Sequence, residues 1–435
     1  MRYPENPRRR VSAAFMSSPA VFDACHGLLS EHGIDIVTPD GLFDVLLVDL
    51  RPGQVGQARV PSLVSSARRL AGARPVLFLA GHEQFTMAEL QTLASTETVI
   101  PAVASARVLT TAIRRSVSDV DRASEAALRL RAMAGLGMGV QTTGDMREGV
   151  DRALLFAEPS VQLLPVFGDL SVRTRTELVI HGSQTLQVLE HDQADALFIL
   201  AARNRRPQSS LIRLLRRHSR LNSIPIIVIE PRADMRHMSY WASCGADAVI
   251  RPKELTLAVE IAGRIRRTRA ASEGWNTLLQ QSSLTDGAEP ARLASPRFFE
   301  ACLAERLSAA GRGDGCPFAV GALRIDPADG ENHATARSEV AVYVSLALRS
   351  TDLVTRPAPD LFLVTLPNAS KAEALKTMQA LSRMITDLKF GSRTAAATFN
   401  ARTSLVMASD ASSAQSVISA ALRELPAATA PLVLA

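Results

Sequence analysis

The segment Arg349-Ser350-Thr351-Asp352 sets a guanidinium and a carboxylate three residues apart. An arginine can donate in a fork to guanine O6 and N7, while a carboxylate accepts from guanine N1–H and N2–H2. The arginine charge also suits a ligand that carries phosphates. At the end of an expected helix, Glu339–Leu348, both side chains are expected to point the same way into solvent. Alone the pattern is weak, because a surface ion pair of this spacing contributes little. Downstream comes Ala358-Pro359-Asp360-Leu361-Phe362, a hairpin with a single acid. It lacks glycine, and proline removes an N–H donor, so the backbone there cannot cradle a phosphate closely. Another acid, Asp49, ends the apolar run that starts at Asp44.

Positioning these residues takes more than one core. A chain of 435 residues is expected to form two to four domains. From Arg10 to about Ser118, short apolar runs alternate with amphipathic segments, as in a parallel sheet with crossover helices. The runs are Val11–Met16, Ile34–Val37, Asp44–Leu50, Pro75–Ala80 and Thr98–Ile100, and the last helix, Ser105–Ser118, is expected to end in the basic turn Arg114-Arg115. The rhythm returns from about Arg152 to Arg267, with strands Ala153–Ala157, Glu177–Ile180, Asp195–Leu200, Pro225–Glu230 and Ala248–Ile250. Asp44–Asp49 aligns with Asp195–Leu200, and Pro75–Ala80 with Pro225–Glu230, so the two stretches read as a tandem duplication. Domain limits of 10–120, 151–270 and 285–435 follow, with a helical connector at 121–150 and a linker at 271–284. The connector is a helix over Val120–Ala134 and then a flexible joint beginning Gly135-Leu-Gly.

The composition narrows the function classes. No apolar run approaches the roughly 18 residues needed to cross a bilayer, and no secretory signal opens the chain. Cys25, Cys244, Cys302 and Cys316 lack metal-ligand spacing, so no metal site is expected, and Cys25 and Cys244 read as small buried hydrophobes. A net charge of +6 permits an anionic partner. Aromatic residues are only 4% and do not interleave with basic ones, so no nucleic acid is expected.

Both repeats resemble two-component receiver domains, the second through Gly245-Ala-Asp-Ala-Val-Ile-Arg251-Pro252. The resemblance implies flavodoxin-like, doubly wound parallel sheets. It also shows what is missing. Asp49 stands at the degenerate phosphoacceptor position of the first repeat, but Met16-Ser17, Ala80 and Ile100 replace the acidic pair, the Thr and the Lys. In the second, Leu200, Ala157-Glu158, Glu230 and Arg251 stand at those places. Neither set can run aspartyl phosphorylation, and Asp49 reads as an inherited polar residue at a strand end. Both repeats are expected to serve as dimerisation or docking modules.

From about Leu284 the chain resembles a GGDEF (diguanylate cyclase) domain, a nucleotidyl-cyclase-like α+β fold. The resemblance runs through Leu284-Thr285-Asp286, Ser295–Phe299 and the strand Phe318–Asp326. It implies that Arg324 stands where the family has a metal-binding acid, that Ala358 and Pro359 replace the hairpin glycines, and that Leu361 replaces its second acid. It further implies that Arg349 and Asp352 are the Arg-x-x-Asp pair with which such domains hold cyclic di-GMP. The nine-residue spacing from Arg349 to Ala358 matches the family. Arg356 and Arg383 are further candidate ligand contacts, because Ala380 occupies the family's basic position on the next helix. The arginines between Arg203 and Arg220 read as a solvated or docking face that would also suit an anionic ligand.

Taken with the receivers, the resemblance implies a non-catalytic cyclic di-GMP receptor without a cofactor, forming a homodimer in the cytoplasm, at a cell pole. The alphaproteobacterial cell-cycle effectors of this architecture recruit an adaptor of the RcdA kind, which helps deliver the regulator CtrA to the ClpXP protease. Three alternatives stay open: a residual cyclase, a scaffold that needs no ligand, and a phosphorylation-driven response regulator.

Overall fold

A computed structural model of the chain describes residues 11–16, 27, 29–40, 43–50, 60–72, 74–80, 93–94, 97–101, 106–138, 149–191, 194–217, 221–232, 235–281, 293–311, 317–328, 334–349, 351–392, 395–408 and 413–426. Ser17, Cys25, Arg220, Leu284-Thr285-Asp286 and Cys316 lie outside them. The chain divides into two compact units, one of Arg10–Ala123 with Thr143–Glu273, the other chiefly of Ser124–Thr142 with Gly274–Ala435.

The first unit holds two parallel sheets. Strands β1 (Val11–Met16), β2 (Ile34–Val37), β3 (Val45–Asp49), β4 (Val76–Ala80) and β5 (Thr98–Pro101) lie in the order β2-β1-β3-β4-β5. Strands β6 (Arg152–Ala157), β7 (Arg175–Val179), β8 (Ala196–Leu200), β9 (Ile226–Ile229) and β10 (Ala248–Ile250) repeat it as β7-β6-β8-β9-β10. This 2-1-3-4-5 order is the flavodoxin-like, doubly wound one. The central strands β3 and β8 are buried along their whole length, which is why they read as unbroken apolar runs. The duplication reaches single hydrogen bonds: Asp44 Oδ2 accepts from the Ser12 N–H, and Asp195 Oδ2 from the Arg152 N–H, each at 2.9 Å.

The described helices of this unit are α1 (Val60–Ala71), most of α2 (Ala106–Gly135), α3 (Leu163–Ser171), α4 (Gly182–His191), α5 (Arg206–Arg217), α6 (Met235–Cys244) and α7 (Leu255–Gln281). The expected helix end at Arg114-Arg115 does not occur. With no glycine or proline between Ala106 and Ala134, the last helix of the first repeat and the connector helix are one element.

Gly245 closes α6 with φ +118°, a conformation that disfavours any side chain, and the chain then brings Asp247 to the foot of β10. There the Asp247 carboxylate accepts from Arg216 at 2.5 Å and Arg269 at 2.8 Å, pairs with Arg115 at 3.3 Å, and takes the Ile226 N–H at 2.8 Å. Burial alone would raise this carboxyl, but the three guanidiniums override it and hold it well below the usual carboxylate range. Burial in turn draws Arg216 down to about 10. Since Arg115 comes from the first repeat, this cluster ties the two copies together.

The second unit is built on an antiparallel sheet. Strands β11 (Phe318–Pro327), β12 (Leu353–Ala358), β13 (Leu361–Pro367) and β16 (Phe399–Met407) lie in the order β12-β13-β11-β16, beside a ribbon of β14 (Phe390–Ser392) and β15 (Ala395–Ala397). Its helices are α8 (Pro296–Gly311), α9 (Ala334–Ala347), α10 (Lys371–Asp387) and α11 (Ala414–Arg423). Alternation along β13 sends Phe362, Val364 and Leu366 to the α9–α10 face, with Val340, Val344 and Met378. It sends Leu361 and Leu363 to the other face, with Phe298 and Phe299 of α8. Ala126, Leu128, Ala132 and Met133 of α2 belong to that second cluster. The end of α2, which the sequence presents as part of a connector, is therefore built into this core.

Candidate functional site

Helix α9 ends at Ala347 and β12 begins at Leu353, so Arg349 and Asp352 occupy the turn between them. The turn closes on itself. The Asp352 N–H donates to the Arg349 carbonyl at 3.0 Å, and Asp352 Oδ2 accepts the Arg349 N–H at 2.8 Å. The expectation that both side chains face solvent is corrected here for Asp352, which is only 8% exposed. The Arg349 N–H lies beyond the end of α9 and three residues from the carboxylate, and that local bond competes with an outward pose. Oδ1 is buried and accepts no hydrogen bond among the described residues. This burial, opposed by the neighbouring Arg349, pushes the carboxyl up to about 6. Arg349 itself is half-buried.

The turn is held by residues that sequence reasoning missed. Arg129 of α2 donates from Nη2 to the Thr351 carbonyl at 2.8 Å and to the Asp352 carbonyl at 3.2 Å. Its Nε donates to Glu125 Oε1 at 2.9 Å, and Glu125 also accepts from Arg306 of α8. Glu125 and Arg129 are 5% and 3% exposed. The signal was available: a Glu–Arg pair four residues apart, bracketed by Ala126, Leu128, Ala132 and Met133, lies on a face that the apolar pattern marks as inward.

Arg356 and Arg383 do not join this pair in the described contacts. Arg356 donates to the Pro359 carbonyl at 2.8 Å and lies over the Phe362 ring, its guanidinium 5.6 Å from the centroid. Arg383 is exposed on α10.

The β12–β13 hairpin closes through Pro359-Asp360, with Ala358 opposite Leu361. Two-residue hairpin turns favour left-handed residues, and none of these residues has a positive φ. The register slips between Thr355 and Ala358, a bulge that absorbs the mismatch. Asp360 meets Arg324 of β11 at 3.3 Å, so the one acid of the hairpin is held in an ion pair. Asp326 is likewise bound by Arg402, at 2.6 Å. A cation seated against the surviving carboxylate does not fit a divalent metal site. Among the described residues, no group of three or more His, Cys, Asp or Glu side chains could hold a metal ion.

The receiver-like positions have structural partners too. Asp49 ends β3, 1% exposed, and Leu200 is buried. Glu230 accepts from Trp241 Nε1 at 3.0 Å and pairs with Arg205 at 3.5 Å. Arg251 binds Glu254 at 2.5 Å. Among the described residues, no helix is long and apolar enough to cross a membrane.

No protein-family model and no curated protein matches the chain. Solved structures similar to it over about a third of its length are GGDEF domains. That of PA1120 (TpbB or YfiN) from Pseudomonas aeruginosa is 24% identical, covers 32% of this chain and 83% of its own, and has a TM-score of 0.27. The DgcB GGDEF domain from Caulobacter crescentus, in complex with c-di-GMP, is 19% identical over 33% of this chain and 85% of its own, with a TM-score of 0.28. The FimX GGDEF domain from Pseudomonas aeruginosa is 13% identical over 33% of this chain and 91% of its own, with a TM-score of 0.29.

Proposed function

We propose that this chain is a non-catalytic cyclic di-GMP receptor and docking scaffold, resembling the cell-cycle effector PopA. The observation that carries the non-catalytic part is the Arg324–Asp360 ion pair, which satisfies internally the acid that a cyclase would offer to metal. The glycine-free turn supports it, because its backbone cannot approach a phosphate closely. The ligand part draws on Arg349 and Asp352, which combine a donor fork and a carboxylate in one short turn with the spacing to the hairpin that cyclases show. Their arrangement suits guanine, and the arginine suits the phosphates. The flavodoxin-like repeats, in which Asp49 and Leu200 are buried and Glu230 and Arg251 are paired, would present the docking surface. The homodimer, the cell pole, and an RcdA-like adaptor linked to CtrA and ClpXP belong to this proposal through the resemblance alone.

A ligand-independent scaffold is the competing reading, and the burial of Asp352 is what favours it. Titration calorimetry with cyclic di-GMP separates the two. The full chain should bind, and Arg349→Ala should lose at least about tenfold in affinity, as expected when a charged hydrogen-bond partner is removed. Equal affinity in the two proteins would sink the site. Incubation with GTP should yield no cyclic product, and turnover would restore the residual-cyclase reading.

A further inference from the structure

We infer that Arg129, held by Glu125, gates the Arg349/Asp352 site: it holds Thr351 and Asp352 in a closed form that must open before a ligand can reach the Asp352 carboxylate. The inference rests on the reading of this turn as the cyclic di-GMP site.

Recognition of a guanine edge by a carboxylate uses both oxygens together, against N1–H and N2–H2. In the closed turn the two oxygens are not offered together, since Oδ1 is buried and Oδ2 is turned to the Arg349 N–H. Turning the carboxylate outward means breaking the Arg349 bond and moving the backbone that carries Asp352. That backbone is what Arg129 grips, by two successive carbonyls. Glu125 fixes the guanidinium from behind and is itself anchored to Arg306. The grip therefore comes from a different stretch of chain, not from the turn's own hydrogen bonds.

The closed form is also not fully satisfied. A buried carboxylate oxygen without a donor is costly, so the turn is poised to open once the grip is released. A ligand that binds only the open form has its apparent affinity reduced by the closed fraction. By reciprocity, a bound ligand must weaken the hold of the turn on α2.

The test uses the full chain and cyclic di-GMP itself. Arg129→Gln should bind at least about fivefold more tightly than wild type, the lower end of ordinary coupling between sites. Equal or weaker binding by folded Arg129→Gln overturns the gate while leaving the site assignment intact. Absence of binding by both proteins overturns the cyclic di-GMP reading, and the gate with it. Should Arg129→Gln fail to fold, hydrogen exchange on the wild type decides. Amides of α2 beyond Ser124 should exchange faster when cyclic di-GMP is added, and unchanged or slower exchange overturns the gate.

Discussion

Asp247 and Asp352 are both buried carboxylates beside arginines, and they differ in how fully their oxygens are used. Asp247 meets three guanidiniums and a backbone N–H, and its ionised form is held firmly. Among the described residues Asp352 has one backbone donor and an oxygen that accepts no hydrogen bond, and its carboxyl is pushed up to about 6. A fully compensated buried charge is an interlock: moving it breaks everything around it. A half-compensated one has a second conformation to gain from, and this is the property a ligand-responsive turn needs.

The sharpest way to break the comparison is Asp247→Ala. Stranding buried Arg269 with the half-buried Arg115 and Arg216 should cost about 3–5 kcal/mol, the usual result of removing one partner from a buried charge cluster. Urea denaturation measures it, and a loss below about 1 kcal/mol would reduce the interlock to decoration.

Asp352 should behave in the opposite sense with pH. Its folded carboxyl lies above the ordinary 3.8, so the native state binds the proton more tightly than the unfolded chain. Its contribution to stability is fully present below the unfolded value and is lost as pH rises through about 6. Asp247, displaced downward, keeps its contribution throughout that window. The stability of wild type relative to Asp352→Asn should therefore rise by about 2–3 kcal/mol from neutral pH to pH 4, at about 1.4 kcal/mol per pKa unit. A difference flat over that range would show that Asp352 is solvated. The smallest effect is expected at Arg324→Ala, which releases Asp360 at the exposed hairpin. Thermal denaturation should shift by less than about 1 kcal/mol, and a larger loss would mean that the pair organises the hairpin.

Much of the fold was legible because its signals are local. Each strand expected in the two repeats occurs within two residues of its position, since period-two alternation and short apolar runs are read directly from side chains. The misplaced end of α2 had a local cause too, in a basic pair taken for a terminus where no residue breaks the helix. The candidate site was legible as residue types and spacing at Arg349, Asp352 and Asp360. Its geometry was not. The inward turn of Asp352 follows from a backbone N–H three residues away and from a helix edge far off in the chain.

The sequence by itself thus determined the element order and the duplication, because those depend on which residue stands where. Tertiary structure alone decided which charges meet. Arg115 reaches Asp247 across 132 residues, and Arg129 reaches the Thr351 carbonyl across 222. No periodicity records such pairings. They arise when the packing of apolar faces brings distant polar groups together in a low dielectric, where each must find a partner or carry the cost of lacking one.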